Sequence, residues 1–558
     1  MPDTDTVSPT PSTDIAQRED GNPVTDSGVS DSPSKPASAS LPGWLRQAGA
    51  RLVATVRAHL AMSIVLGLGI VLRVATMVGY GPAFYFSDTR GYFEYAELGF
   101  PQQIRPYGYS GFLNLFRWTD SIWPVIITQH LLGLICAIAI YALVRRKGGA
   151  RWLATLAAAP IALDGYEIVV EHYILADSLF SVLVLGGMIC LLWHKRVSVP
   201  LAIGAGLLLS AATLTRTVGL PILILAGLYV LLRRADRRTV VALALSMVLP
   251  IVGYTVWFHQ HYGHYTLSTW QDRWMYGRMM SIADCENLDL NPQEEKLCDR
   301  PENENAYKVD YYVWSQESPV GDIPRRYAYT FSAKVMLQQP LDYAALVARE
   351  TWTFFSPEYY LFRNEPPGTT CPQLWEFQKE TTVPACEPRP VASSEFGDHR
   401  GAHPDEWPGF TPTALHDYQR FGGVTPGPFL ALCLLLMLGA VLTPLALRRR
   451  SGNRRVRADG GWALRWDALL LGTSGFALLV MAIATSQFDI RYGVPILVLI
   501  PPAGALAWIS LRDTLPSTRL WTTVRGTVTR RGSNQATSGG VSHSTSHTGD
   551  VESETARA

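Results

Sequence analysis

The sequence predicts an all-α multi-pass membrane protein of about ten transmembrane helices, with a large extracytoplasmic loop domain of mixed structure. Three observations lead to this class. Long apolar runs alternate with short arginine clusters, one long polar and aromatic stretch interrupts them, and only 17% of the 558 residues are charged. Soluble proteins carry about 25% charged residues. The 48 Lys and Arg balance 47 Asp and Glu, which excludes the basic excess of a nucleic-acid binder.

Apolar runs are the candidate membrane spans, and most have the roughly 20 residues that a spanning helix needs. The fifth and sixth runs are short and are separated by Thr215, Arg216 and Thr217. They are therefore either two short helices or one broken pair. The predicted spans are residues 59–79, 122–144, 152–170, 176–194, 199–215, 218–232, 239–258, 427–447, 466–486 and 491–511.

Basic residues flank these spans on one side only. Clusters of Lys and Arg fall within residues 145–151, 195–196, 233–238 and 448–455, whereas the loop at 164–177 has none. Because cytoplasmic loops carry the excess of Lys and Arg, both termini are predicted to be cytoplasmic. The polar ends are too poor in apolar residues to fold alone. The predicted parts are a disordered cytoplasmic segment (1–43), a transmembrane core (59–258) with a first outer loop (80–121), an extracytoplasmic loop domain (259–425), C-terminal transmembrane helices (426–511) and a disordered cytoplasmic tail (512–558).

Four of the seven cysteines lie in the large loop, at Cys285, Cys298, Cys371 and Cys386. An even number in an extracytoplasmic segment predicts disulfides. Four cysteines allow three pairings. Sequence proximity favours the one that joins near neighbours, Cys285 with Cys298 and Cys371 with Cys386. Zinc is the alternative, but neither pair has the close spacing of a zinc site. No metal site is therefore predicted in this loop.

Ionisable residues close to the membrane are candidates for function because burying them there is costly. Asp88 follows the first span by a few residues, and its alternative role is to cap the next helix. Glu171 and Asp177 precede or begin the fourth span, where one of them could cap the helix while the other meets a ligand. A single histidine such as His172 is more often structural.

Three arginines, Arg73, Arg216 and Arg491, lie near the predicted outer ends of spans. Outward snorkelling of a long side chain explains each of them singly. Together they indicate phosphate recognition, because the planar guanidinium group suits phosphate geometry. A lipid phosphate is the natural anion at this depth.

Five short motifs follow one another in order along the predicted outer side. They are Asp88 with Tyr92 as D-x-x-x-Y; Arg105, Pro106, Gly108 and Tyr109 as R-P-x-G-Y; the run from Ile174 to Phe180; Arg216 with Gly219 and Leu220; and Arg491, Tyr492 and Pro495 as R-Y-x-x-P. With these motifs the chain resembles the C-type (GT-C) membrane glycosyltransferases. The branch it resembles most holds protein O-mannosyltransferases and lipid A aminoarabinose transferases.

The resemblance implies a polyprenyl-phosphate sugar donor used on the side away from the cytoplasm, with Asp88 as general base. It implies that Arg491 binds the donor phosphate, with Arg216 as second candidate and Arg73 as third. The implied substrate-binding residues are Tyr92, Arg105, Glu171, His172, Asp177 and Tyr492. No cofactor is required. Many relatives have two adjacent acidic residues where this chain has Asp88 and Thr89, which leaves a divalent metal open.

The acceptor implied is an envelope glycan, a lipid or a protein, and the composition, typical of a bacterium with a GC-rich genome, favours envelope glycan. Two other classes compete with the enzyme. A transporter or flippase of lipid-linked sugars would explain the short fifth and sixth spans, and a scaffold would explain the large loop. The tryptophans of this loop (Trp270, Trp274, Trp314, Trp352, Trp375 and Trp407) are expected to form its core rather than to stack on sugars. Residues 340–355 are predicted to form an amphipathic helix that rests on the membrane.

Overall fold

The structure, a computed structural model, describes residues 43–299, 313, 318–357, 376–377, 410–450, 461–486 and 488–514. Within these residues all regular structure is helical, apart from one isolated parallel bridge between Phe84 and Tyr173. The predicted disordered ends, most of the second half of the large loop, and Cys371 and Cys386 lie outside the described residues. The mixed structure expected of that loop is not seen in its described part.

The α-helices of the described chain are numbered in order. They are α1 Gly43–Ala58, α2 Leu60–Tyr80, α3 Ser87–Leu98, α4 Gly108–Asn114, α5 Trp123–Arg146, α6 Arg151–Leu163, α7 Gly165–His172, α8 Ala176–Leu192, α9 Val199–Thr215, α10 Leu220–Leu232, α11 Arg237–Tyr262, α12 Gln271–Met280, α13 Pro292–Glu295, α14 Arg325–Gln338, α15 Pro340–Thr353, α16 Phe410–Arg420, α17 Gly427–Arg450, α18 Gly461–Thr485, α19 Val494–Leu497 and α20 Ile500–Thr514.

Every predicted apolar run contains a helix or a bent pair of helices, and six of the ten, as the structure describes them, meet the length of a membrane span. In the described chain α2, α5, α11 and α18 are long and apolar enough to cross singly. Two bent pairs, α6 with α7 and residues 490–497 with α20, would each make one further span. Shorter apolar helices occupy the remaining runs, in α8, α9, α10 and α17. The predicted all-α multi-pass class is confirmed, while the number of crossings and their orientation stay predictions.

The bend between α6 and α7 has a local cause. Helix α6 contains Pro160 and ends at Leu163, and Asp164 then caps α7 by accepting hydrogen bonds from the backbone amides of Tyr166 (2.9 Å) and Glu167 (3.3 Å). An aspartate at this position satisfies amides that would otherwise lack partners. The two helices meet at 46°, which turns the residues after α7 toward the start of α8.

Small residues let the membrane helices pack closely. A Cβ atom on Gly187 of α8 would lie 2.6 Å from the Leu209 side chain of α9. Helix α9 in turn packs against α11, where a Cβ on Gly206 would lie 2.9 Å from the Leu243 carbonyl oxygen. Without a hydrophobic driving force in lipid, such close contact is what associates spanning helices.

Helix α1 belongs to a compact unit of its own, separate from the unit that begins at His59. This helix is not among the predicted elements, because its three arginines keep the segment from forming an uncharged apolar run. Its composition of Ala, Leu and Arg is nevertheless rich in good helix formers. Trp44 and Val53 are exposed on it.

The described part of the large loop has its own small core. Tyr276, Met279, Leu297 and Phe331 are buried in it, and the predicted disulfide between Cys285 and Cys298 is confirmed. The expectation for the tryptophans is wrong where the structure describes them. Trp352 is 63% exposed, while Trp270 and Trp274 are half-buried; Trp314, Trp375 and Trp407 lie outside the described residues. The predicted helix at 340–355 is α15, and its contact with the membrane stays a prediction.

Candidate active site

Asp88 lies in the first turn of α3, and another residue caps that helix. The backbone is extended at Phe86, and the Thr89 hydroxyl accepts a hydrogen bond from the Phe86 amide at 2.9 Å. The alternative interpretation of Asp88 as the cap is therefore wrong. Its carboxylate instead faces arginine side chains, next to a helix N-terminus that also favours a negative charge.

Two arginines from distant parts of the sequence hold the Asp88 carboxylate. The Arg105 Nη2 atom donates to Asp88 Oδ1, and Arg491 Nη1 lies 3.3 Å from Asp88 Oδ2. Asp88 is 7% exposed and Arg491 5% exposed, whereas the side chain of Arg105 is 19% exposed. The predicted juxtaposition of Asp88 and Arg491 is present, at one end of the helical bundle.

Arg491 is oriented by a carboxylate that the sequence analysis does not single out. Asp489 Oδ1 accepts from the Arg491 backbone amide at 3.0 Å, and Asp489 Oδ2 lies 3.0 Å from Arg491 Nε. The guanidinium carbon also lies 4.8 Å from the centre of the Phe86 ring. The sequence signal for Asp489 was available, since it is an ionisable residue at the start of the last span. Phe86 carries no such signal.

Arg216 completes the cluster from the break between α9 and α10. Its backbone is extended where α9 ends, and its side chain forms an ion pair with Asp177 at the start of α8. The ring of Tyr492 lies 5.8 Å from the guanidinium carbons of both Arg216 and Arg491. The predicted residues Asp177 and Tyr492 therefore belong to the same site as Asp88.

The loop carrying Arg105 reaches this site because a glycine follows it. A Cβ atom on Gly108 would lie 2.5 Å from the Leu214 carbonyl oxygen in the last turn of α9. Any larger residue would push α4 away from α9. The Arg105 guanidinium carbon lies 5.5 Å from the centre of the buried Tyr92 ring, which brings the predicted residue Tyr92 into the cluster.

Arginine charges decide the protonation state of Asp88. Burial alone would raise the pKa of this carboxyl, but the charges of Arg105, Arg491 and Arg216 outweigh burial and hold the pKa below its usual range. For Asp489 burial prevails, and its pKa is raised despite Arg491. Burial likewise raises the pKa of the Tyr92 phenol. Asp88 therefore stays ionised at neutral pH.

Three predicted site residues lie in a second, separate network. Arg73 uses every guanidinium hydrogen inside the protein: Nε and Nη2 bond to Glu171 at 2.8 and 2.7 Å, and the remaining hydrogens go to the carbonyl oxygens of Gly69, Ala162 and Ile161. Arg73 is 2% exposed, and Glu171 and His172 are fully buried. The phosphate role predicted for Arg73 and the substrate roles predicted for Glu171 and His172 are withdrawn, because these side chains have no open face toward a ligand.

The residues around Asp88 do not suit a divalent cation. Both Asp88 carboxylate oxygens already contact guanidinium groups, and its neighbour is Thr89, not a second acid. Among the described residues no group of three or more His, Cys, Asp or Glu side chains could hold a metal ion. The chemistry available here is that of carboxylate and guanidinium groups.

The helical bundle and the cluster at its end define a multi-pass membrane protein with a buried carboxylate–arginine site. Residues 118–266, from before α5 to beyond α11, match the family model described as dolichyl-phosphate-mannose-protein mannosyltransferase. The resemblance to the O-mannosyltransferase branch is confirmed over this part of the chain. The matched part contains Asp177 and Arg216, and it leaves out Asp88 and Arg491.

Other comparisons reach less far. No curated protein sequence matches the chain. One similar solved structure is the Saccharomyces cerevisiae protein O-mannosyltransferase Pmt1-Pmt2 complex bound to the sugar donor, with 15% sequence identity and a TM-score of 0.29. The match covers 40% of this chain and 36% of that chain, so the chain spans little more than a third of the length of the protein it matches.

Proposed function

We propose that this protein is a membrane glycosyltransferase. It moves a sugar from a polyprenyl-phosphate donor to a hydroxyl group of an acceptor on the extracytoplasmic face of the cell membrane. The observation that carries the proposal is the contact of one ionised carboxylate, Asp88, with Arg105 and Arg491, with Arg216 nearby. A base and several cations at one end of an apolar bundle suit an acceptor hydroxyl and a lipid phosphate together.

In the reaction, the acceptor oxygen forms a bond to the anomeric carbon while the bond from that carbon to the phosphate oxygen breaks. The hydroxyl proton goes to Asp88, and the bonding electrons leave with the lipid phosphate. General-base help of this kind contributes about 10²–10⁴ in rate. The negative charge that develops on the phosphate is stabilised by Arg491 and Arg216, since fixed cations in a poorly hydrated site act strongly on developing charge.

Donor binding also prepares the base. The Arg491–Asp88 contact of 3.3 Å is longer than the roughly 2.7–2.9 Å of a strong charged hydrogen bond. A phosphate that takes over Arg491 removes one positive charge from Asp88 and adds a negative one nearby. Both changes raise the pKa of Asp88 and make it a better proton acceptor.

The family description makes mannose the first donor sugar to test and a protein hydroxyl the first acceptor. Arabinose and aminoarabinose donors follow, because all of them share the lipid phosphate that the arginines would bind. An envelope glycan is the second acceptor class, and the biological role proposed is synthesis of envelope glycan or glycoprotein.

The experiment uses purified full-length protein in lipid nanodiscs with labelled synthetic polyprenyl-phosphate mannose and a peptide rich in Ser and Thr. Parallel reactions use arabinose and aminoarabinose donors and an envelope-glycan acceptor. The proposal is supported if the wild type transfers the sugar and Asp88→Asn does not. Failure of the wild type to consume any of these donors would overturn it.

A flippase of lipid-linked sugars is the competing function, and no contact among the described residues favours it. At the break, where α9 ends and α10 soon begins, Arg216 faces Asp177, so this break is part of the cluster around Asp88. In sealed vesicles a flippase would move the intact donor across the bilayer, whereas the enzyme cleaves it.

A further inference from the structure

The second network, built on Arg73 and Glu171, fits inside the bundle because two glycines leave space for it. A Cβ atom on Gly133 of α5 would overlap the Glu171 carboxylate, and one on Gly69 of α2 would lie 2.8 Å from the Ala162 carbonyl oxygen and 3.3 Å from Arg73 Nη1. Both positions therefore require glycine for the Arg73–Glu171 pair to fit. A buried ion pair is costly unless all its hydrogen bonds are made, and this one meets that condition.

Helix α5 fixes the end of α7 at several points. His130 Nδ1 lies 2.8 Å from Glu171 Oε2, and His130 Nε2 lies 3.2 Å from His172 Nδ1. One residue earlier, Gln129 Nε2 donates to the carbonyl oxygens of Glu171 and Tyr173 at 2.8 and 2.9 Å. Helix α5 thus holds residues 171–173 by hydrogen bonds to their side chains and to their backbone carbonyl groups.

This fixed segment pairs directly with the residues that precede Asp88. The Phe84 amide donates to the His172 carbonyl oxygen at 2.9 Å, and the Ile174 amide donates to the Phe84 carbonyl oxygen at 3.1 Å. The buried Thr89 hydroxyl then donates to the Ile174 carbonyl oxygen at 3.1 Å. Asp88 therefore lies between two residues, Phe84 and Thr89, that are bonded to the segment after Glu171.

We propose that the Arg73–Glu171–His130 network is a positioning device that holds residues 84–89 so that Asp88 meets Arg105 and Arg491. Its catalytic consequence rests on the glycosyltransferase function proposed above. The positioning residues touch no substrate; they act through Tyr173, Ile174 and Thr89. Precise placement of a base matters because a shift of about 1 Å can cost about 10² in rate.

The first test compares Gly133→Ala with Gly67→Ala, both in helices long enough to span the membrane. A Cβ on Gly67 would meet nothing within 4 Å, so this matched variant should behave like the wild type. Gly133→Ala displaces the Glu171 carboxylate, and we expect a fall in kcat of about 10²-fold. The KM for the donor should stay near the wild-type value, because Arg491 and Arg216 are untouched.

Amide hydrogen exchange supplies a readout that does not depend on activity. In Gly133→Ala, exchange at Phe84 and Ile174 should be faster than in Gly67→Ala. If the wild type transfers no sugar, the proposed function fails while the exchange result still decides the positioning claim. Equal exchange and equal kcat in the two variants would overturn the inference.

A second pair of variants decides the matter if Gly133→Ala does not fold. Thr89→Ala removes the hydroxyl that joins α3 to Ile174, while Thr89→Ser keeps it. We expect Thr89→Ala to lose about 10²-fold in kcat with faster exchange at residues 84–89, and Thr89→Ser to restore most of both. Normal kcat and exchange in Thr89→Ala would contradict the proposal.

Discussion

Two arginine–carboxylate groups in this protein are built from the same residue types and differ in how exposed their arginines are and in how the carboxylate is shared. In the Asp88 cluster one carboxylate is shared by Arg105 and Arg491, and the Arg105 side chain is 19% exposed. In the Arg73 network every guanidinium hydrogen has a partner inside the protein, and Glu171 is fully buried.

We propose that this difference separates a group that binds the donor from a group that positions the base. We propose that Arg491 exchanges its 3.3 Å contact with Asp88, a carboxylate that Arg105 shares, for the donor phosphate. A guanidinium group whose N–H donors are all bonded within the protein, such as that of Arg73, can only fix the geometry around it. Their residue type and their places in or beside predicted spans did not distinguish these two arginines, whereas the complete set of hydrogen bonds within the protein sets Arg73 apart.

The largest expected effect belongs to Asp88. Asp88→Asn keeps the shape of the side chain and removes the proton acceptor, so transfer should fall by about 10²–10⁴. Folding should survive, because Arg491 retains Asp489 and Arg105 can reach solvent. The measurement is the initial rate of sugar transfer alongside detergent-extracted yield.

Asp120→Asn is the matched control, since it makes the same chemical change in the same predicted loop. Asp120 is exposed, and its φ of 49° lies in the left-handed region that Asn also tolerates. Comparable losses in Asp88→Asn and Asp120→Asn would remove the special role of Asp88.

Arg491 should give the next largest effect. Arg491→Gln removes the cation expected at the phosphate, and we expect kcat/KM for the donor to fall by about 10²–10³. Arg491→Lys should keep part of the activity, because lysine keeps the positive charge but lacks the planar guanidinium group that binds phosphate at two points. The control Arg512→Gln changes an exposed arginine, and a loss as large as that of Arg491→Gln would argue against phosphate binding.

The acidic side of the pH profile should move by a smaller amount. The ionised form of Asp88 is the active one, and Arg105 helps to hold its pKa below the usual range. In the wild type, kcat/KM should therefore persist to a pH below the ordinary aspartate value of about 3.9 before it falls. Arg105→Gln raises the pKa, so activity should be lost at a higher pH. An unchanged acidic limb in this variant would contradict the assignment.

The smallest effect on transfer is expected from the loop disulfide, which belongs to neither cluster. Replacing Cys285 and Cys298 together by Ala opens a short loop, and the loop domain should lose about 3 kcal/mol of stability. Proteolysis of the loop should be faster, while transfer at low temperature stays within about twofold, since additive effects are expected for distant sites. A large loss of kcat would place this domain in the site.

Much of the fold was predictable because membrane helices consist of long apolar runs. All ten predicted runs contain a helix or a bent pair, and the motif order predicted that Asp88, Arg216 and Arg491 would meet. The disulfide between Cys285 and Cys298 followed from the predicted extracytoplasmic position of the loop. These features depend on local composition, which a single sequence shows directly.

The partition of charged residues between the two groups was not predictable in the same way. Arg73 lies inside the first apolar run and Arg216 lies between two short runs, but only packing shows that Arg73 is bonded to Glu171. His130 lies inside an apolar run, a signal that the sequence analysis passed over. Gly133 looks like any other glycine in a spanning helix until its distance to the Glu171 carboxylate is known.

Donor binding measured in parallel on Asp88→Asn and Arg491→Gln tests the central claim most directly. Purified proteins in nanodiscs would be titrated with labelled polyprenyl-phosphate mannose and with polyprenyl phosphate that lacks the sugar. Asp88→Asn should bind both lipids as tightly as the wild type, or more tightly, and transfer nothing; Arg491→Gln should bind both at least about tenfold more weakly. Normal transfer by Asp88→Asn, or unchanged lipid binding by Arg491→Gln, would contradict the division of the site into a base and a phosphate-binding group.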